Sequence, residues 1–325
     1  MIVSVIMSVY NTKIDYLSDS IESILNQTFK DFEFIIINDN SNTAVTEYLN
    51  SIRDKRVRIF HNEVNVGLTK NLNYGVKQAN GKYIARMDAD DISHLNRLKK
   101  QVLFLEKNLD VGLIGTRGFR FGDMNRPFNV PLAHEDIKAG LITGNTIGHP
   151  TVMGRKEMFE KFPYNENFRT SQDYELWSRI VWDTKVVNIP ERLFKYRVHN
   201  EQISFEKKAM QDDAANTVKF NLLSKISEDF TLNDAKIITK LRSNNALSED
   251  DFLEYIQLSQ RILEKNKNMG LYSNESLSRV LSKSLDQAIY LNNKHSNSNI
   301  KIQKSKYHKT NIYTILTKLS SFRRL

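Results

Sequence analysis

The chain has 325 residues, of which 40% are hydrophobic and 26% charged, values typical of a folded globular protein rather than a disordered or collagen-like one. It contains no cysteine, which excludes disulfides, iron–sulfur clusters and thiol catalysis. Residues 1–205 hold 27 Lys and Arg against 25 Asp and Glu, whereas residues 206–325 hold 20 against 13. The net charge of +9 therefore comes mainly from the C-terminal third, and we expect no nucleic-acid partner.

The first 115 residues alternate between short apolar runs and amphipathic stretches. This pattern predicts an α/β fold in which helices flank a mostly parallel, Rossmann-like sheet. Strands are expected at residues 2–9, 33–37, 57–60 and 82–87. Helices are expected after Ser18 as N-cap, over residues 68–79, and from Leu95 onward. Only helical spacing follows residue 206, which predicts a separate helical region.

Three regions are therefore expected: an α/β domain at 1–205, a helical region at 206–293, and a basic amphipathic tail at 294–325. The tail has eight Lys or Arg and no acidic residue, which suits a segment lying on an anionic membrane surface. A solvated tail, or a helix docked on the protein's own acidic face, fits the same pattern. No apolar run is long enough to span a membrane, and residues 1–10 do not resemble a signal peptide. We expect a cytoplasmic protein, peripheral at the inner face of the plasma membrane.

Polar clusters follow the predicted strands, and ligands of open α/β sheets gather beyond the carboxyl ends of strands. The strongest cluster is Asp88-Ala-Asp-Asp91, because three carboxylates at the end of a buried strand repel one another unless a cation is bound. Oxygen ligands favour Mg²⁺ or Mn²⁺, which can also bridge to a diphosphate. A solvated acidic loop that begins a helix would show the same residues.

Several further segments, taken in order, resemble the family 2 glycosyltransferases with their A-type (GT-A) nucleotide-sugar-binding fold. The resemblance covers about residues 2–205, and residues 206–325 match no family that we can name. It rests on segments 4–11, 23–29, 32–41, 65–68, 80–91, 149–152, 172–177, 196–199 and 202–204.

The resemblance implies a role for each matching position. Donor-binding residues would be Ser8, Tyr10, Asp39, Asn65, Arg86 and Asp88. Among these, Asp39 would accept a hydrogen bond from the nucleobase. Asp90 and His199 would bind Mn²⁺ or Mg²⁺, and Asp173 would be the catalytic base.

Each role has a structural alternative. An Asx turn would also explain Asp39, and the helix dipole would also explain Asp173 in a first helical turn. Arg86 could pair with the acidic cluster, and His199 could be structural. The chain also departs from the family pattern, with Asn38 in place of Asp, Gln172 in place of Glu and Leu95 in place of Pro.

The implied reaction is inverting transfer of a sugar from a nucleoside diphosphate sugar, preferably a UDP-sugar. The acceptor would be a glycan or a polyprenyl-diphosphate-linked glycan of a bacterial surface polysaccharide such as capsule or O-antigen. A non-catalytic nucleotide-sugar-binding protein and a metal-dependent nucleotidyltransferase are the alternatives. A nucleotidyltransferase would need a basic phosphate-binding loop near the first strand, and Ser8-Val-Tyr-Asn11 is not such a loop.

Overall fold

A computed structural model describes residues 1–199, 208–242 and 247–295, with side chains as far as Asn292. The chain forms two compact units. The first consists of Met1–Ile137 and the described residues of Thr146–Gln211, and the second of Lys138–Asn145 and the described residues from Asp212 on. The predicted tail at 294–325 lies almost entirely outside the described residues.

The first unit is built on a mixed sheet, to which the described residues contribute nine strands. These are β1 (Val3–Val9), β2 (Phe32–Asn38), β3 (Val57–His61), β4 (Tyr83–Arg86), β5 (Ile92–Ser93), β6 (Val111–Gly122), β7 (Arg126–Phe128), β8 (Met153–Arg155) and β9 (Lys185–Val198). Their order is β3-β2-β1-β4-β8-β6-β9-β5, and β7 pairs with the outer part of β6.

The parallel part of the sheet is the part that the sequence pattern predicts. Strands β3, β2, β1 and β4 are parallel neighbours, and β6 and β9 form another parallel pair. Strands β5, β7 and β8 pair antiparallel. Every residue of β2 is buried, as is typical of strands covered by helices on both faces. The predicted α/β architecture is confirmed.

Helices flank this sheet. They are α1 (Ile14–Leu25), α2 (Thr43–Ser51), α3 (Leu68–Gln78), α4 (Arg97–Lys107), α5 (His134–Gly140), α6 (Lys156–Lys161) and α7 (Gln172–Ile180), with a 3₁₀ turn at His149–Thr151. The helix α1 buries Leu17, Ile21 and Ile24, which recur at helical spacing on one face.

Two predicted helix starts are wrong. Ser18 lies inside α1, which begins at Ile14, because burial of Leu17 extends the apolar face by a turn before the predicted N-cap. Leu95 precedes α4 and is exposed, whereas the buried positions of that helix begin at Arg97 and Leu98. Packing against the sheet has therefore outweighed local signals for a helix start.

The second unit is helical. Its elements are α8 (Lys208–Ile226, whose first residues belong to the first unit), α9 (Leu232–Leu241), α10 (Glu249–Met269) and α11 (Asn274–His295). Thr231 and Asp234 form a reciprocal capping box at the start of α9. The short segment 138–145 also belongs here, because the Arg242 guanidinium donates to the carbonyl of Thr143 at 2.6 Å. None of the described helices combines the length and apolar character that crossing a bilayer requires.

Candidate active site

The first group of predicted site residues follows the carboxyl ends of β1 and β2. Asp39 comes directly after β2 and is 2% exposed. Its Oδ1 accepts hydrogen bonds from Val66 N at 2.9 Å and from Asn62 Nδ2 at 2.8 Å, and its Oδ2 accepts from Gly67 N at 2.9 Å. The side chain thus holds the loop that leads into α3, and Gly67 enters that helix with φ of 89°, which favours glycine.

A chain of side-chain amides links Asp39 to Ser8 on β1. Asn62 Nδ2 also donates to Asn71 Oδ1 at 2.8 Å, and Asn71 Nδ2 donates to Ser8 Oγ at 3.0 Å. Asn65 Nδ2 donates to the Asp39 carbonyl at 3.3 Å. The predicted residues Ser8, Asp39 and Asn65 are therefore brought together in one hydrogen-bonded network.

Tyr10 and Asn11 lie in the loop that follows β1. Tyr10 is 55% exposed. Asn11 has a left-handed backbone, with φ of 50°, and its side chain accepts a hydrogen bond from Asn42 N at 2.8 Å. This bond and that from Asn11 N to Ser41 Oγ, at 3.1 Å, connect the loop after β1 to the loop after β2.

Asn38, a departure from the family pattern, has contacts unlike those of Asp39. Its Nδ2 donates to Thr46 Oγ1 at 3.0 Å and lies 3.1 Å from His61 Nδ1, while its Oδ1 accepts from Ser41 N. A cavity of about 280 Å³ lies beside it, lined by Asn38, Asn40, Ser41, Thr46, Asn50, His61 and Asn62.

The acidic loop after β4 is held from several directions. Arg86 is 3% exposed and donates to Asp88 Oδ1 at 2.5 Å, and Ser20 Oγ donates to the Asp88 carbonyl at 2.6 Å. Burial raises the pKa of Asp88; the positive charge of Arg86 opposes this shift, and the nearby Asp90 adds to it. Arg86 therefore pairs with the acidic cluster, one of the two arrangements that its position allowed.

Asp90 and His199, the predicted metal ligands, are in contact. His199 Nε2 lies 3.0 Å from Asp90 Oδ2. Arg197, two residues earlier on β9, donates from its Nε to the Asp90 carbonyl at 2.7 Å and from its backbone N to Asp91 Oδ1 at 2.7 Å. Arg197 of strand β9 thus holds in place both Asp90, a predicted metal ligand, and the adjacent Asp91.

The donor chemistry of this pair fits a divalent cation. Among the described residues, no group of three or more His, Asp or Glu side chains is placed to bind a metal. One carboxylate and one imidazole nevertheless suit an ion such as Mg²⁺ or Mn²⁺, which commonly takes one or two protein ligands and completes its shell with water and substrate phosphates. Asp91 is wholly buried, with Oδ2 unpartnered among the described residues, and burial raises its pKa well above the usual range.

Asp173 lies in the first turn of α7. The preceding Ser171 adopts a left-handed backbone, with φ of 56°, a conformation that is uncommon for a non-glycine residue. Asp173 itself is half-buried, between the buried Gln172 and Tyr174. A buried Trp177 packs the helix against the core, as its apolar spacing predicts.

Tyr164 is a buried residue to which the sequence assigns no role. It is 5% exposed, and its hydroxyl lies 2.9 Å from His149 Nε2. Burial raises the pKa of Tyr164; the positive charge of Arg86 lowers it, and the negative charges of Asp173 and Asp88 raise it further. His149 is also buried, and burial, followed by the charge of Arg86, holds its pKa well below the usual value.

Comparisons with known proteins show the family of the chain. The sequence model of Glycosyl transferase family 2 matches residues 4–163. An uncharacterized glycosyltransferase of Haemophilus influenzae is 35% identical in an alignment of 237 positions, which covers 67% of this chain and 72% of that protein. The chain belongs to glycosyl transferase family 2.

Two further relatives bear on this glycosyltransferase. The O-antigen biosynthesis glycosyltransferase WbnJ of Escherichia coli is 37% identical over 212 residues, covering 61% of this chain and 80% of WbnJ. The crystal structure of S. aureus TarS 1-349 in complex with UDP-GlcNAc aligns with a TM-score of 0.59 over 90% of this chain and 91% of that one, at 15% identity. The latter likeness shows the shared fold. Of the predicted site residues, Asp173 and His199 lie beyond the family-model match.

Proposed function

We propose that this glycosyltransferase transfers a sugar from a UDP-sugar, with inversion at the anomeric carbon, to an acceptor of bacterial surface polysaccharide synthesis. The observation that carries the proposal is that the buried Asp39 follows β2 and the acidic loop with Asp88 and Asp90 follows β4, two strands that both pair parallel with β1. These carboxylates therefore lie at the same edge of the sheet, where a nucleotide sugar would bind.

The nucleobase would bind at Asp39. Among the described residues, Oδ2 of this buried carboxylate accepts one hydrogen bond, from Gly67 N, so it can accept another from a uracil N–H. Ser8, Tyr10 and Asn65 would line the same pocket. The hydrogen bonds from Asn62, Val66 and Gly67 hold the carboxylate in place before the nucleotide arrives.

Asp90 and His199 would hold Mn²⁺ or Mg²⁺. Such an ion, when bound, stabilises the negative charge that develops on the departing diphosphate. Asp88 would lie near the ribose. Arg86, fixed by its pairing with Asp88, would bring positive charge to the diphosphate side of the site.

Asp173 would act as the base. Its carboxylate accepts the proton of an acceptor hydroxyl while that oxygen forms a bond to the anomeric carbon and the bond from this carbon to the diphosphate oxygen breaks. Attack opposite the leaving group inverts the configuration, so an α-linked donor gives a β-linked product. A single carboxylate is sufficient because no protein group has to protonate the diphosphate.

The acceptor would be a glycan, free or linked to a polyprenyl diphosphate. The relationship to the O-antigen enzyme WbnJ supports a polysaccharide pathway. The basic tail at 294–325 would bring the enzyme to the inner face of the plasma membrane, where lipid-linked acceptors are found. This part of the proposal rests on charge and apolar pattern alone, since residues 296–325 lie outside the described part of the chain.

A screen of nucleotide sugars for hydrolysis with Mn²⁺, followed by acceptor trials, tests the proposal. We expect UDP release from at least one UDP-sugar, an increase with a suitable acceptor, and an inverted linkage by NMR. Donor binding without hydrolysis or transfer would favour the non-catalytic alternative. Pyrophosphate release from a nucleoside triphosphate and a sugar phosphate would favour the nucleotidyltransferase alternative.

A further inference from the structure

Two arginines and a tyrosine lie side by side on one face of three neighbouring strands. Arg120 on β6 is directly opposite Arg126 on β7 and also opposite Tyr196 on β9. Directly opposite residues project from the same face of a sheet, with Cβ atoms about 5 Å apart in an antiparallel pair. The three side chains therefore form a row, which we call the Arg120 row.

The row carries two positive charges that are not neutralised. Among the described residues, neither Arg120 nor Arg126 has an acidic partner, and the Arg120 guanidinium lies over the Phe128 ring, 5.5 Å from its centroid. Burial and the charge of Arg126 lower the pKa of Arg120, although a guanidinium remains charged at neutral pH. Like charges directly opposite one another destabilise a sheet. The protein thus keeps a repulsive pair that a bound anion would relieve.

The row borders the candidate active site. Tyr196 is followed by Arg197, whose backbone N and Nε donate to Asp91 Oδ1 and to the Asp90 carbonyl in the acidic loop. On the other side, Phe128 Cε2 is 3.8 Å from where a Cβ of Gly148 would lie, next to His149. The Arg120 row therefore lies between the acidic loop and the turn that bears His149.

Gly118 explains how Phe128 comes to support the row. It is directly opposite Phe128, and a Cβ at this position would overlap the Phe128 ring and lie 2.7 Å from the Phe194 carbonyl oxygen. With no side chain at 118, the ring of Phe128 covers the strand and lies beneath the Arg120 guanidinium. The short strand β7 is thus held against β6 with its arginine beside Arg120.

We infer that the Arg120 row binds an anionic phosphate group of the acceptor. Arginine is suited to this because its planar guanidinium donates two parallel hydrogen bonds to a phosphate. The donor nucleotide is expected at the carboxyl ends of β1, β2 and β4, whereas the row is on β6, β7 and β9. The inference rests on the proposed function, and it specifies the acceptor class as a sugar that carries a phosphate or diphosphate.

Binding of geranyl diphosphate by the full chain, measured by titration calorimetry in EDTA, tests the inference. EDTA removes divalent ions, so the carboxylates of the acidic loop repel the probe and the donor site does not compete. The R120A/R126A variant is expected to bind roughly 10- to 100-fold more weakly, the range expected for lost charge-assisted hydrogen bonds. The R120K/R126K variant, which keeps the charge, should recover part of the affinity. Inorganic pyrophosphate, titrated in parallel, distinguishes recognition of the anion alone from recognition of a lipid-linked diphosphate.

Lys195→Ala is the matched control. Lys195 is an exposed cation next to Tyr196 on β9 and so projects from the opposite face. An equal loss of affinity in Lys195→Ala would overturn the inference. An unchanged affinity in R120A/R126A would also overturn it. UDP binding and UDP-sugar hydrolysis in Mn²⁺ should be nearly unchanged in R120A/R126A, and a large loss of either would assign the row to the donor instead. Absence of UDP-sugar hydrolysis in the wild-type protein would count against the proposed function but leave the binding result intact.

Discussion

Asp90 and His199 are 109 residues apart in the sequence, and their side chains meet at 3.0 Å. Asp90 is in the loop after β4, and His199 directly follows β9, which also holds this loop through Arg197. A carboxylate oxygen and an imidazole nitrogen at this separation can both bind one cation, as proposed above.

Replacing either residue by alanine should abolish the dependence of UDP binding on Mn²⁺. A site that relies on two protein ligands loses half of them in each variant. Titration calorimetry with UDP, with and without Mn²⁺, measures the effect. Glu47→Ala, which removes an exposed carboxylate on α2, is the control and should behave as the wild type. If both Asp90→Ala and His199→Ala keep the wild-type response to Mn²⁺, the metal binds elsewhere.

Asp173→Asn should lower the rate of transfer by roughly 10² to 10⁴-fold, because an amide cannot accept the acceptor proton. UDP affinity should remain close to that of the wild type. Glu175→Gln is a matched control on the same helical turn, since Glu175 pairs with Arg179 through two hydrogen bonds of 2.8 Å. Glu175→Gln should lower the free energy of unfolding while changing the rate of transfer little. A nearly wild-type turnover in Asp173→Asn would disprove the assignment of the base.

Asp39→Asn should weaken both UDP binding and the fold. The carboxylate accepts hydrogen bonds from Val66 N, Gly67 N and Asn62 Nδ2, and an amide would turn its own N–H groups toward at least one of these donors. A buried donor left without a partner costs about 1–3 kcal/mol. Urea unfolding and UDP titration measure the two effects. Unchanged values of both would leave Asp39 with the role of an ordinary turn residue.

The sequence was sufficient to predict the strands that position Asp39 and the acidic loop. Strand β2 is an unbroken apolar run followed at once by Asp39, so both the strand and the placement of the carboxylate could be read from the local pattern. The same holds for β4 and the acidic loop. The helix α2 was missed because it has two buried positions, Val45 and Leu49, and its N-cap Asn42 also suits a turn.

The parts that could not be predicted depend on contacts between distant residues. Tyr164 is separated by 15 residues from His149, and no local pattern singles out Tyr164 or its contact with that histidine. The pairing of β6 with β7 and β9 places Arg120 between Arg126 and Tyr196, which no local spacing reveals. Likewise, the segment 138–145 packs with the helical unit through residues far along the chain: Arg242 donates to the Thr143 carbonyl, and the Lys138 amine lies over the Tyr272 ring.

Removing residues 294–325 should abolish sedimentation of the protein with anionic liposomes. Each Lys or Arg near such a surface contributes about 1 kcal/mol before screening, and this segment has eight of them. UDP-sugar hydrolysis in solution should survive, because the predicted site residues all lie before residue 200. Neutral liposomes are the control. Equal sedimentation of the intact and truncated proteins would contradict the proposal that the tail binds the membrane.

Lys219 provides a test within the helical unit. It is 4% exposed, and its ammonium group donates to Thr239 Oγ1 at 2.6 Å. Burial, assisted by the charge of Arg242, lowers its pKa from 10.5 to about 8. Between these two values the unfolded chain binds the proton and the folded chain does not. The free energy of unfolding therefore rises with pH between about 8 and 10.5. Below pH 8 both states hold the proton, and the buried lysine destabilises the fold by its full amount.

Lys219→Met should consequently be more stable than the wild type at pH 7, by roughly one to a few kcal/mol, and this advantage should shrink as the pH approaches 10.5. Thr239 Oγ1 keeps hydrogen-bond acceptors in Asn216 and the Ala235 carbonyl, so loss of the amine leaves no buried hydroxyl proton without a partner. Urea unfolding of both proteins at several pH values between 7 and 10.5 measures the difference. Lys236→Met, which removes an exposed lysine of α9, should show no such trend. A stability difference that does not change with pH would mean that Lys219 keeps its proton in the folded protein and that the helical unit stabilises the buried charge.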